Sequence, residues 1–134
     1  MVINKIAVIP FKKSPLGNIV YICKPYFTED DVYFLPNTAS VGEINSTQIE
    51  AKALLEEFGL KMDIHKHVSI DLGILIYKKM AFKGYAILVE DSHDEEKVPL
   101  YIEDNKFLRI KEAVDKCAPP FKDFLQRFAN WTIL

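Results

Sequence analysis

Cysteine is scarce in this sequence. Cys23 and Cys117 stand far apart and neither has a partner motif beside it. That argues against a disulfide framework and reads as two buried free thiols in a reducing compartment. A basic excess is missing as well: 17 Lys and Arg face 19 Asp and Glu, for a net charge of −2. A nucleic-acid partner would normally demand the opposite balance. No apolar run approaches the ~18 residues needed to cross a bilayer. The opening "MVINKIAVIPFKK" lacks the long apolar stretch and small-residue cleavage site of a signal peptide. The expectation is a cytoplasmic chain with neither membrane nor nucleic acid as partner. Several catalytic signatures are absent too: there is no P-loop, no dinucleotide-binding glycine pattern, no Ser-His-Asp arrangement and no Cys-His arrangement. No internal repeat, low-complexity tract or linker interrupts the chain.

What is present suits one domain over residues 1–134, with 49% apolar residues to build a core. Ile3 to Phe11 is a β-rich run, and Pro10 within it suits a sheet edge or a strand end. "KKSPLGN" turns the chain into a second strand, Asn18 to Lys24, so the two runs form a hairpin. A loop "PYFTEDD" leads to a short apolar strand, Val32 to Pro36, and "NTASVGEINS" reads as a long turn. From Gln48 to Phe58 the period is helical: Ala51, Leu54, Leu55 and Phe58 share one face. Thr47 and Glu50 have capping-box spacing, and Gly59 sits where a left-handed residue ends a helix. The period then changes to two. "MDIHKHVSIDLGILIYKK" and Gly84 to Asp91 read as strands, "SHDEEK" as an acidic surface loop and "VPLYI" as a short strand. "FLRIKEAVDKCA" reads as a helix stopped by Pro119-Pro120, with a second amphipathic helix, "FKDFLQRFANW", behind it. The class is α+β, a mixed and largely antiparallel sheet flanked by helices.

Within "ALLEEFGL", Glu56 and Glu57 occupy the last turn of the expected helix, where the dipole disfavours carboxylates by up to about 1 kcal/mol each. Either solvent and the i,i+4 lysines Lys52 and Lys61 absorb this cost, or a cation sits against the two acids. With Leu54, Gly59 and Leu60, these glutamates match the right half of a signature: Gly-x5-Glu-x7-Arg-Glu-U-x-Glu-Glu-x-Gly-U, with U bulky and apolar. Pro36 stands at the right distance before it, two strands precede it and others follow, and "FLRIKEAV" resembles a closing strand entering a last helix. On these residues the chain resembles the Nudix hydrolases over most of its length. The left half departs from the signature. Its glycine falls on Thr38, its first glutamate on Ile44 beside Glu43, its arginine on Lys52 and its next glutamate on Ala53.

The resemblance implies an α/β/α sandwich and a Mg²⁺- or Mn²⁺-dependent hydrolase that splits a nucleoside diphosphate linked to another group. Mg²⁺ takes oxygen ligands in near-octahedral array, and acids at i, i+3 and i+4 present them on one helix face. The implied metal ligands are Glu56, Glu57 and Glu50. The implied catalytic acids are Glu57, Glu56 and Glu43, with a further acid available from the stretch between Glu90 and Glu103. Lys52 keeps the charge of the arginine position without its fork. Because Ala53 carries no oxygen, the alternative is a Nudix-fold module without hydrolase activity that binds a nucleotide or another protein.

Lys12, Lys13, Lys24 and Arg109 could meet phosphate oxygens, or serve as ordinary surface charges. Tyr26, Phe27, Tyr33 and Phe34 could stack on a base, with Tyr33 as the substrate-binding candidate, although core packing is the better reading for all four. His65 and His67 lie one residue apart on an expected strand without a visible third ligand, which favours an exposed sheet face. His93 reads as solvated. Phe124, Phe128 and Trp131 suit packing of the last helix or a contact between two copies.

Overall fold

The computed structural model describes residues 2–29 and 31–133, so Asp30 in the expected "PYFTEDD" loop lies outside the described residues. In chain order the elements are β1 (Lys5–Ser14), β2 (Gly17–Pro25), β3 (Asn37–Ala39), α1 (Thr47–Glu57), β4 (Ser69–Tyr77), β5 (Met80–Leu88), β6 (Ile102–Arg109), α2 (Ile110–Lys116) and α3 (Phe121–Ile133). Short 3-10 turns at Ile44–Ser46 and Glu95–Lys97 precede α1 and β6. The strands form one sheet in the order β4-β5-β1-β2-β6, with β3 paired to β1. Among the named strands of the described residues, β1 and β5 run parallel and the other strand pairs antiparallel.

Each sheet face buries its own core. On one side Ile6, Val8, Tyr21, Ala51, Leu54, Leu55, Phe58 and Ile87 pack beneath α1. On the other, Ile9, Phe11, Ile22, Ala86, Phe124, Leu125 and Phe128 pack beneath α2 and α3. Alternate residues of β1 and β2 feed the two cores, because successive side chains of a strand point to opposite faces. The α/β/α sandwich expected from the sequence is therefore present. Phe124 and Phe128 are fully buried and Trp131 is exposed, so the first two serve helix packing within one copy.

Pro10 does not end a strand. It lies inside β1, which is flanked on both sides. Along one edge β1 pairs with β5 throughout residues 5–11, while on the other it pairs with β3 over residues 5–7 and with β2 only from Phe11. The Val8 amide donates to the Pro36 carbonyl on that second side, and Pro10, two residues on, would point its missing N–H the same way. The proline occupies the hand-over between two partners, where no ladder bond is lost.

Other departures follow from partners that a local pattern does not show. Val32 to Pro36 contributes only single bridges, from Tyr33 to Cys117 and from Phe34 to Cys23, and the strand forms after the proline, inside the expected turn. His65 and His67 are not on a strand. They lie in a turn where Asp63 accepts from the His65 and Lys66 amides, and His67 takes a φ of 49°. The capping box is absent as well. The 3-10 turn runs straight into α1, leaving Ser46 in helical conformation without a side-chain cap. Thr47 donates instead to the Ile44 carbonyl at 2.8 Å and accepts from the Tyr85 hydroxyl at 2.7 Å. "FLR" belongs to β6, so α2 starts at Ile110 rather than Phe107.

Both thiols are buried and unpaired. Burial raises both of their pKa values, that of Cys117 to about 12, so neither is a nucleophile near neutral pH.

At the β4 edge a bulge at Leu72–Gly73 carries a Gly73 φ of 79°, and Arg127 of α3 donates to the Leu72 and Ile74 carbonyls. The bulge and the guanidinium together spoil the edge as a template for another strand. In the sheet centre, a Cβ on Gly84 would lie 2.4 Å from the Phe124 ring. Gly84→Ala is expected to cost about 1–3 kcal/mol through overpacking, seen as a lower midpoint in urea denaturation with an unchanged slope.

Candidate functional site

The candidate site is built around the C-terminal end of α1. Its last two turns bury Leu54, Leu55 and Phe58 and leave Lys52, Ala53, Glu56 and Glu57 exposed. The helix closes with Gly59 at φ 75°: the Leu60 amide reaches the Leu55 carbonyl and the Gly59 amide reaches that of Glu56. This is a Schellman motif, and Leu60 and Leu55 supply its accompanying apolar contact. Gly59 is required twice over, because a Cβ there would also stand 2.0 Å from the Asp94 carbonyl oxygen.

That close approach brings the segment after β5 onto the helix end. The Asp94 amide donates to the Gly59 carbonyl, and the Glu90 amide to that of Lys61. Lys12 Nζ donates to the Asp91 carbonyl at 3.0 Å and lies 4.2 Å from the centre of the Phe107 ring. His93 is not solvated, as the sequence suggested; its side chain is 11% exposed. Its Nε2 is 2.9 Å from the Phe58 carbonyl, its Nδ1 is 3.3 Å from Glu95, and its ring meets Tyr21 edge-on at 5.5 Å. Nothing in the pattern "SHDEEK" signalled this, since the helix end that holds His93 is 35 residues away. Beside it lies a cavity of about 730 Å³, lined among others by Glu56, Lys61, Met62, Glu90, His93 and Lys97.

The sequence-derived acids divide by their partners. Glu56 lines the cavity. Glu57 is exposed, and the Tyr101 phenol pKa is raised by burial first and then by the charges of Cys23 and Glu57. Neither the Lys52–Glu56 nor the Glu57–Lys61 spacing closes into an ion pair among the described residues. Glu50 has partners elsewhere: one oxygen accepts from Ser40 and Ser46 hydroxyls, each at 3.0 Å, and the other from the Val41 amide at 3.2 Å. It pins the loop before α1. Glu43 is exposed at the start of the 3-10 turn, and its carbonyl accepts from Ser46. Glu103 pairs with the buried Lys24. Among the described residues no group of three Asp, Glu, His or Cys side chains could hold a metal ion together. Glu56 and Glu57 are the two carboxylates that the last turn of α1 leaves exposed.

The substrate-binding candidates are also separated. Lys52 is exposed on α1, while Arg109 precedes α2 and donates to Glu112 at 2.9 Å. Tyr33 is buried in the α2–α3 core with its hydroxyl on Asp104, and Phe34 packs on Phe121. The core reading holds for these two and fails for Tyr26 and Phe27, which are 65% and 77% exposed. They follow Pro25, where β2 ends, and the Tyr26 amide donates to the Tyr101 carbonyl. Tyr101, 48% exposed, and Leu100, 97% exposed, therefore share this rim with them.

Two substitutions probe this arrangement. Gly59→Ala forces a left-handed Cβ against the Asp94 backbone, and should lower stability by more than about 1 kcal/mol while speeding proteolysis within residues 90–97. In the second, the Tyr33 hydrogen bond is the largest influence holding the Asp104 carboxyl below its ordinary pKa, opposed by desolvation and assisted by Lys106. A depressed folded-state pKa gives stability that is complete above about pH 3.9 and is lost as the pH falls through the folded value. Tyr33→Phe should cost about 1 kcal/mol at neutral pH and flatten the decline of stability in acid, measured by chemical denaturation between about pH 2 and 6.

No family model and no curated protein sequence matches the chain. Solved structures do. A Listeria monocytogenes NUDIX hydrolase structure superposes with a TM-score of 0.69 at 13% identity, over 93% of this chain and 90% of the other. A Caenorhabditis elegans Ap4A hydrolase gives 0.69 at 9% identity, over 96% and 98%. The NUDIX domain of Shewanella oneidensis NrtR, complexed with ADP ribose, gives 0.71 at 9% identity, over 98% and 89%. At such low identity the likeness speaks for architecture alone. Sheet order, the helix between β3 and β4 and the near-complete mutual coverage lead to one conclusion: the chain adopts the Nudix fold.

Proposed function

We propose that this chain is a Nudix-fold module that binds a nucleotide-type diphosphate and lacks the metal-assembled centre of the hydrolases. One observation carries the reading. The helix position one turn before Glu57 is Ala53, exposed and without an oxygen, and the acid a turn further back, Glu50, already accepts from three donors of the loop before α1. On this reading the acidic face of the helix is reduced to Glu56 and Glu57, one carboxylate short of the family's set, and no chemical step is routed through a cation. Dropping a carboxylate that serves as general base costs roughly 10²–10⁴ in rate.

Support for a nucleotide-type ligand comes from two sources. Two structures of similar fold are an Ap4A hydrolase and a domain complexed with ADP ribose. In addition, Tyr26, Phe27 and Tyr101 present exposed rings where β2 ends, with the Tyr26 amide on the Tyr101 carbonyl. Aromatic faces stack on bases without sequence demands, typically for about 1–3 kcal/mol per base.

The test measures binding and turnover in parallel. ADP ribose, Ap4A and ADP are titrated by calorimetry with Mg²⁺ or with EDTA, and product release is followed by chromatography. Binding that is equal in both buffers, without turnover, is the expected result. Mg²⁺-dependent cleavage abolished by Glu57→Gln would establish the hydrolase reading instead, and failure of every nucleotide to bind would remove the ligand class. Ala53→Glu should raise Mn²⁺ affinity at least about tenfold by adding a carboxylate one turn from Glu57, and Glu57→Gln in that background should reverse the gain.

A further inference from the structure

Taking an ammonium out of water is costly unless the charge is paired. Lys24, the penultimate residue of β2, is such a group: its side chain is 8% exposed, against 45% for the Glu103 side chain with which it forms an ion pair. The strand register explains how that acid reaches it. Lys24 stands opposite Asp104 and Pro25 opposite Ile102, so Glu103 is one residue too many in β6 and bulges from the ladder. A bulge re-aims a side chain, and here it brings Glu103 to the lysine. Asp104, directly across from Lys24, is held instead by the Tyr33 hydroxyl and by Lys106 at 3.5 Å.

The pair adjoins the exposed aromatic rim. Lys24 is two residues before Tyr26 and Glu103 two residues after Tyr101, and the Tyr26 amide donates to the Tyr101 carbonyl at 2.9 Å. We propose that Lys24 receives the phosphate of the nucleotide-type ligand, and that Glu103 occupies the lysine in the free chain as a stand-in for that phosphate. This assignment rests on the nucleotide-binding reading and names the phosphate contact of the same site. A carboxylate and a phosphate offer an ammonium the same kind of acceptor, an anionic oxygen in a charge-assisted hydrogen bond. Glu103 is the partner that solvent reaches, so an arriving anion meets the carboxylate first and takes its place while the lysine stays where it is. The base of the ligand then lies on the rings of Tyr26, Phe27 and Tyr101, which stack without demands on base identity.

Exchanging one anion for another never leaves the buried ammonium without a partner, which is the state that costs most. Two consequences follow from the exchange. The chain's own carboxylate competes with the ligand, so the affinity for a phosphate is held down as long as Glu103 is charged. The contact is made with phosphate and not with base, so it favours a nucleotide over its nucleoside and does not discriminate among bases.

The test compares ADP with adenosine by calorimetry in EDTA, on the wild-type chain and two variants. Glu103→Gln keeps Lys24 and removes the competing charge. It should tighten ADP binding about tenfold, the ratio that one hydrogen bond to a charged group supports, and leave adenosine binding unchanged. Lys24→Met should weaken ADP binding by a similar factor, again without effect on adenosine. An ion pair that serves only the fold would lose stability in Glu103→Gln with no gain in ADP affinity. An ADP affinity that is unchanged or lowered in that variant therefore overturns the proposal, whether or not Lys24→Met folds. Equal changes for ADP and adenosine overturn it too, because the contact would then lie with base or sugar. The nucleotide-binding reading fails separately, and takes this assignment with it, if neither the wild-type chain nor Glu103→Gln binds ADP, ADP ribose or Ap4A.

Discussion

The approach of the Asp94 carbonyl to Gly59 is the contact on which the arrangement at the end of α1 depends. A backbone atom can come this close only to a residue without a Cβ, and the same residue must turn left-handed to end the helix. Both demands fall on one position. Once it is met, much of the helix end is closed by the chain itself: two carbonyls are taken by the Schellman pair, that of Phe58 by His93 and that of Gly59 by the Asp94 amide. The group set against the end of the dipole is an imidazole brought from a distant loop, while the nearby lysines form no ion pair with these acids among the described residues.

Fold and chemistry separate cleanly here. The fold is held by two apolar cores on opposite faces of the sheet, by a parallel β1–β5 pairing at its centre and by glycine where α3 lies directly on β5. None of these needs a carboxylate at residue 53 or a glutamate at residue 44. Glu50 shows how an acid on α1 comes to serve the fold. With both oxygens committed to Ser40, Val41 and Ser46, it fixes the path of the chain from β3 into the helix. These three hydrogen bonds hold the carboxylate against the loop before α1. The buried Lys24 with Glu103, and the Asp104 group with Tyr33 and Lys106, likewise hold β6 against β2 and the preceding loop.

Tyr26, Phe27 and Tyr101 form an exposed aromatic rim after β2, and residues 90–97 pack on the end of α1 with His93 against the buried Tyr21. One offers open ring faces; the other conceals a hydroxyl. The α2–α3 side differs, with Phe121, Phe124 and Phe128 in its buried apolar core.

The sequence alone determined the elements whose partners are near in the chain or whose pattern is strongly periodic. The β1–β2 hairpin, the buried face of α1, the glycine stop at Gly59 and the amphipathic α3 were legible because each rests on local sterics or on periodic burial. The spacing from Pro36 to "EEFGL" carried the fold resemblance for the same reason, since it measures fixed lengths of loop and helix. Tertiary structure decided the rest. Pro10 inside a central strand, β3 after Pro36, the turn holding His65 and His67, the engagement of Glu50 and the burial of His93 all depend on groups remote in the chain or on a loop path that no periodicity records. A residue's type sets which bonds it can make, and only the folded chain sets which of them it does make.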